Sequence, residues 1–367
     1  DDQDGFARLA RRLLEDLASR GHDIHALAPA LSRDLETTSF LRSIGVSYGD
    51  VPFSRTGRNP FADLMAGTTL YRRMAKCHPD LVLSYTVKPV IWGTLTAALL
   101  RVPDRIALVT GLGFAASRPA HPIQRVAAQL ARSLLRFALG RATLVIFQNP
   151  DDLNESRSLG ILPGDVETAI VDGSGVDLDE FEEVPLSAFP PVRFLTVARL
   201  LGAKGIRELV AAARMVHASH PEVEFHLVGG VDPGPDSIDA FEVHQWAAEG
   251  ALVWHGNVSD VRPHLAACHA YVLPSYREGL PRSSQEAMAT GRAVITTDVP
   301  GCRETVVDGV NGWLVAAKDP AALAGAMERM ILNPDLLQTM GCASRRIAEE
   351  RFDVHRINRQ MLRAMGC

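Results

Sequence analysis

The chain reads as an α/β protein made of two doubly wound units with parallel sheets. Three observations predict this. Helix and strand patterns alternate through the first 150 residues, an acidic, proline-containing break runs from Val171 to Pro191, and a second alternation starts at Val192. With 367 residues and 47% apolar composition, the chain is long enough to bury two ordinary cores.

An amphipathic pattern from Phe6 to Ser19 ends in Arg20-Gly21-His22-Asp23 and leads into a predicted strand, Ile24–Ala28. Helices follow near 61–77 and 90–100, with strands at Asp80–Ser84 and Arg105–Thr110. A helix from Ile123 to Leu139 precedes the strand Ala142–Phe147, and Asn149-Pro150-Asp151-Asp152 opens the next helix with a capping residue and a proline in its first turn. Asp172-Gly173-Ser174-Gly175-Val176-Asp177, an acidic patch and two prolines then mark the crossing between domains.

The second half restarts with strand Val192–Ala198, the loop Arg199–Gly205 and a helix. Strands Glu224–Gly229 and Val253–Trp254 follow, the latter running into His255-Gly256-Asn257. Ala270–Pro274 reads as a buried strand, with Gly279-Leu280-Pro281 as a turn and a helix starting near Pro281. Closing helices are expected at about 321–332 and 339–367. Ligands of such units collect at the C-terminal ends of the strands.

Composition narrows the function classes. Five cysteines without a CxxC pair cannot form a complete disulfide set, which suits a reducing cytoplasm. No apolar run approaches the roughly 18 residues that span a bilayer, and no signal peptide is visible. The net charge of −5 hides an asymmetry, since residues 1–150 carry 19 Lys and Arg against 12 Asp and Glu. Arg118, Arg125, Arg132, Arg136 and Arg141 punctuate the apolar helix 123–139, a pattern suited to an anionic membrane surface or a phosphorylated lipid as well as to a solvated face. No nucleic-acid partner is expected.

Glu278 and Glu286 flank the predicted start of a helix whose free N–H groups can hold a diphosphate without a metal. Each carboxylate can accept two hydrogen bonds from vicinal hydroxyls. The spacing alone carries little, since 18 glutamates supply about one such pair by chance. Arg199 and Lys204, in a strand-to-helix loop, add two cations able to neutralise a leaving diphosphate.

Glu278-Gly-Leu-Pro-Arg-Ser-Ser-Gln-Glu286-Ala-Met-Ala-Thr-Gly291, Gly301-Cys-Arg-Glu304 and Asp308-Gly-Val-Asn-Gly312 together resemble the retaining glycosyltransferases of the GT-B fold known as glycosyltransferase family 4, or glycosyl transferases group 1. The resemblance implies two Rossmann-like domains facing across a cleft, here 1–180 and 181–345, with a C-terminal helix at 346–367 returning toward the first. It implies that Glu278 contacts the donor sugar, that Glu286 holds the ribose, and that Gly279, Leu280 and Pro281 lie at the diphosphate. Arg199 and Lys204 match the family's Arg…Lys-Gly pattern. Ser174 and Gly175 resemble a hinge approaching the donor, and His255 and Asn257 occupy the nucleobase-side loop. On the acceptor side, Gly111 and Gly113 resemble a loop of enzymes that build surface polysaccharides or lipid-linked glycans, and Lys88 is placed to meet an acceptor phosphate.

The sequence departs from the family at two points. The strand and glycine loop expected ahead of the first helix are missing, which suggests a truncated N-terminus. No first-domain histidine matches the one near the reacting sugar, for His25 reads as a strand residue and His121 as a loop residue. Asp177-Leu178-Asp179 has the spacing of a metal motif from another fold but stands in the linker, and no cluster has metal-ligand spacing.

The expectation is a metal-independent retaining hexosyltransferase without a cofactor, in the cytoplasm and peripheral at the inner face of the cell membrane. It would take a sugar from a nucleotide diphosphate, UDP by preference, to a glycan or polyprenyl-linked acceptor. A noncatalytic nucleotide-sugar-binding or partner-binding protein is the alternative. An NAD-linked oxidoreductase would need a Gly-x-Gly-x-x-Gly after the first strand, which the chain does not show.

Overall fold

The computed structural model describes residues 2–53, 60–116, 122–232, 234 and 236–367. Two compact units result, residues 1–174 with 355–367 and residues 175–354.

Unit 1 runs α1 (Asp2–Ser19), β1 (His25–Ala28), α2 (Leu35–Ser43), β2 (Ser47–Asp50), α3 (Pro60–Cys77), β3 (Leu81–Tyr85), α4 (Val87–Leu99), β4 (Asp104–Val109), α5 (Gly113–Ala116), α6 (Pro122–Leu139), β5 (Leu144–Phe147), α7 (Pro150–Ser158) and β6 (Glu167–Ile170). Strands β1 and β2 form one parallel pair, and β3-β4-β5-β6 form a second parallel sheet. Alternate residues of β4 and β5 serve opposite faces. Ala107, Val109, Val145 and Phe147 pack with α4 and α6, whereas Ile106, Leu108, Leu144 and Ile146 pack with Ile357, Met361 and Leu362 near the C-terminus. Burial on both faces explains why these strands are continuous apolar runs.

Elements α2 and β2 carry no sequence expectation, for a physical reason. Ser47-Tyr48-Gly49-Asp50 has no apolar alternation, and α2 is a short helix set by its cap, with the Asp34 side chain accepting from Thr37 N at 2.9 Å. His121 and Arg118 lie outside the described residues.

Unit 2 runs β7 (Arg193–Val197), α8 (Ile206–His217), β8 (Glu224–Val228), α9 (Ala240–Ala248), β9 (Val253–Trp254), α10 (Arg262–Ala267), β10 (Ala270–Leu273), α11 (Arg282–Ala289), β11 (Ala293–Thr297), β12 (Gly312–Val315), α12 (Pro320–Leu332) and α13 (Asp335–Ile347). Its six parallel strands have the order β12-β11-β10-β7-β8-β9, so the direction of winding reverses between β7 and β10. Phe194, Val272 and Ile295 face α8 and α12, while Leu195, Tyr271 and Val294 face α10 and α11.

The closing helical region is broken where one helix was expected from 339 to 367. Beyond α13 a π-turn spans Ala348–Phe352, and α14 (Val354–Met365) carries the chain into unit 1. Backbone pairing forces the break. Val176 N donates to Phe352 O at 2.8 Å and Val354 N to Val176 O at 3.0 Å, which removes these groups from any helix ladder.

Candidate active site

Parallel strands end at one edge of their sheet, so the loops after β7, β8, β9, β10 and β11 lie on the same side of unit 2. The helices after β7 and β10 go to opposite faces, which opens a crevice between these two strands, the usual place for a ligand.

The two loops beside that crevice are joined by their backbones. Tyr276 N donates to Ala203 O at 2.8 Å, and Gly205 has φ +70°, where a Cβ would stand 2.0 Å from Pro274 O. Only glycine fits this approach. Lys204 is thereby delivered to Glu278, whose Oε1 accepts from Lys204 Nζ at 2.5 Å. Both side chains are largely buried, 19% and 13% exposed. Arg199, from the same β7 loop, ion-pairs with the buried Asp232 of the β8 loop while half its own side chain stays exposed.

Glu278 is also held from behind. Its N–H donates to Pro300 O at 3.1 Å, and Gly301, at φ +79°, would place a Cβ 2.3 Å from Glu278 O. The rest of that motif is scaffold. Asn311 accepts from Val307 N at 2.7 Å and donates to Thr305 O at 3.0 Å, and Glu304 pairs with Arg351 at 3.3 Å.

Pro281, extended at ψ 114°, is the residue before α11, and no side chain caps this helix. The first-turn N–H groups have no intrahelical acceptor. Leu280 buries its side chain in the core, so only its backbone can meet a ligand. Glu286 is buried in α11, and Arg282 Nε donates to its Oε1 at 2.9 Å. A cation in a first turn opposes the helix dipole at a cost of about 0.3–1 kcal/mol.

After β9, the His255 ring nitrogen lies 2.9 Å from His226 Nδ1, with the His264 ring 4.5 Å away. Burial, then the charges of His264 and His226, hold His255 below the ordinary imidazole range. Asn257 abuts Gly230 in the β8 loop, with its Cβ 3.3 Å from where a glycine Cβ would be.

The remaining candidate residues have these surroundings. Gly175, at φ +75°, packs against Val354 where the chain enters unit 2, and Ser174 ends the first segment of unit 1. Gly111 and Gly113 have φ +138° and +48°, with Gly113 opening α5. Lys88 stands in the first turn of α4, just after β3, and pairs with Asp63 at 2.9 Å. Asp177 Oδ1 accepts from Asp179 N at 3.1 Å and Glu180 N at 3.2 Å, the work of a turn. Sequence reading missed the roles of Asp232 and Arg282. The spacing of Arg282 to Glu286 was a usable signal, whereas Asp232 gave none.

Comparison with known proteins agrees with this fold. Residues 191–333 match the family model described as Glycosyl transferases group 1, and residues 3–179 match Glycosyltransferase Family 4. Among solved structures, sucrose-phosphate synthase from Thermosynechococcus elongatus superposes with a TM-score of 0.80 at 22% identity, covering 96% of this chain and 91% of that one. Anabaena HepE in complex with UDP gives 0.75 at 20% identity, with 100% and 97% covered. Fold and site define a GT-B glycosyltransferase that uses a nucleotide sugar.

The chain belongs to glycosyltransferase family 4, the group 1 transferases. It is 28% identical over 328 residues to the N,N'-diacetylbacillosaminyl-diphospho-undecaprenol alpha-1,3-N-acetylgalactosaminyltransferase of Campylobacter jejuni, covering 85% of this chain and 82% of that one. The capsular polysaccharide glycosyltransferase CapM of Staphylococcus aureus is 26% identical over 305 residues, with 80% and 78% covered.

Proposed function

We propose that this enzyme moves a sugar, with retention of configuration and without a metal ion or other cofactor, from UDP to a hydroxyl of a lipid-linked or surface glycan. The observation that carries this reading is the Lys204–Glu278 pair at the β7/β10 reversal, beside the uncapped start of α11. Lys204, Arg199 and the first-turn amides of α11 supply the positive field for a departing diphosphate. Glu278 orients the sugar and Glu286 the ribose, with His255 and Asn257 toward the base. As the bond from C1 to the diphosphate oxygen breaks, the acceptor oxygen bonds to C1 on the same face of the ring. The acceptor proton passes to the departing phosphate oxygen.

The acceptor class is supported by the lipid-diphosphate substrate in the name of the Campylobacter relative and by the polysaccharide role in that of CapM. Gly111, Gly113 and Lys88 remain the acceptor-side candidates of unit 1. Ser174 and Gly175, where the chain passes between units, are proposed to approach the donor.

Peripheral contact with an anionic bilayer, at the inner face of the cell membrane, completes the proposal. Ile123, Val126, Leu130, Leu134 and Phe137 form an exposed apolar row along α6. Residues 105–150 contain six arginines and no acidic residue, which complements anionic lipid headgroups. The arginines of α6 itself are not all free to face lipid, because Arg132 Nε donates to Ala115 O at 2.6 Å and Arg136 donates to Gly160 O. The apolar row therefore carries the contact. No helix among the described residues is long and apolar enough to cross a membrane.

A panel of UDP-, GDP- and ADP-sugars assayed in EDTA, with the product anomer read by NMR, tests the chemistry. Release of UDP and a retained anomer are expected. A strict metal requirement or an inverted product would overturn it.

A further inference from the structure

We propose that Arg282 is a positioning residue that holds Glu286 ionised and oriented for the ribose hydroxyls, an assignment that rests on the ribose reading of Glu286.

Four observations lead there. Glu286 is 7% exposed, and a carboxylate this buried keeps its charge only beside a partner. Arg282 Nε meets its Oε1 at 2.9 Å, one helical turn earlier on the same face of α11. The order is the wrong one for helix stability, since an acid N-terminal to a base suits the dipole and a base N-terminal to an acid does not. The first turn of α11 also holds no acidic residue that would offset the cation. An arginine kept where the helix alone disfavours it points to a requirement set by Glu286 and by an anion arriving at the helix start.

A vicinal diol presents two O–H donors to a carboxylate, and the match depends on the carboxylate plane being fixed. Arg282 fixes it from within the helix. Ser284 and Gln285 on the same helix have buried side-chain atoms without a hydrogen-bond partner, so neither of these two bonds the carboxylate.

The test compares binding of UDP with that of 2′,3′-dideoxy-UDP by calorimetry, in the wild type, Arg282→Gln, Arg282→Lys and Glu286→Gln. The wild type is expected to prefer UDP by about tenfold or more, the worth of a charge-assisted hydrogen bond pair. Arg282→Gln should lose most of that preference while binding the dideoxy analogue as the wild type does, and Arg282→Lys should restore part of it. In the Glu286→Gln background, Arg282→Gln should change nothing further. If Glu286→Gln abolishes the preference while Arg282→Gln keeps it, this inference fails and the ribose reading stands. If Glu286→Gln itself keeps the preference, the ribose reading fails and takes the inference with it. Equal weakening of both nucleotides by Arg282→Gln would mean a structural role alone and would overturn the positioning role.

Discussion

Lys204 and Glu278 form an ion pair at 2.5 Å that joins the loop after β7 to the loop after β10, at the point where the sheet of unit 2 reverses its winding. The pair is largely buried, so removing either partner leaves the other's charge unpaired and mostly out of water.

Lys204→Met should therefore cost stability as well as activity. The loss is expected at about 1–3 kcal/mol, because an unpaired carboxylate is left behind. Turnover should fall by roughly 100-fold or more if the cation meets the leaving group. Thermal unfolding and donor turnover check both, and Lys204→Met with Glu278→Gln should recover stability without recovering turnover.

Gly205 and Gly301 are expected to behave as site residues despite having no side chain. Gly301→Ala would bring a Cβ to 2.3 Å from Glu278 O and strain a backbone at φ +79°. The expected cost is about 1–3 kcal/mol, with turnover lost beyond what the fall in stability explains. Denaturant titration beside donor turnover separates the two effects.

Arg199 is held by Asp232, its partner in the next loop. Asp232→Ala should leave Arg199 in solvent and weaken UDP binding by about tenfold, as calorimetry can measure. An unchanged affinity would place Arg199 outside the donor site.

Leu130→Asp with Leu134→Asp tests the α6 row. Both side chains are exposed, so folding should survive. Sedimentation with phosphatidylglycerol vesicles should drop about tenfold or more, and sedimentation with neutral phosphatidylcholine vesicles should be weak for either protein.

Stability should fall on mild acidification. Burial is the main cause holding His255 and His269 below the ordinary imidazole value of 6.5, so both bind protons more readily when unfolded. Their contribution is complete above about 6.5 and declines as pH falls from there through the depressed folded values. Melting temperatures between pH 7.5 and 5 should show this, and His255→Gln should flatten the slope.

The sequence made the sheets and the donor loops legible because both depend on near neighbours. Strands buried on two faces appear as apolar runs, and the glycines at 205 and 301 mark close backbone approaches beside the charged residues they position. What could not be read depends on distant partners. The pairing of Arg199 with Asp232, the turning of Arg132 and Arg136 onto backbone carbonyls, and the break before α14 imposed by Val176 all arise from packing. Strand β2, polar and four residues long, gives no periodic signal, and its place is set by pairing with β1.

Release of UDP from a UDP-sugar by the wild type and by Glu278→Gln, in EDTA, tests the central claim most directly. The account predicts release by the wild type and a loss of about 100-fold or more in the variant, with UDP still bound. No release from any nucleotide sugar, or release unchanged by Glu278→Gln, would contradict it.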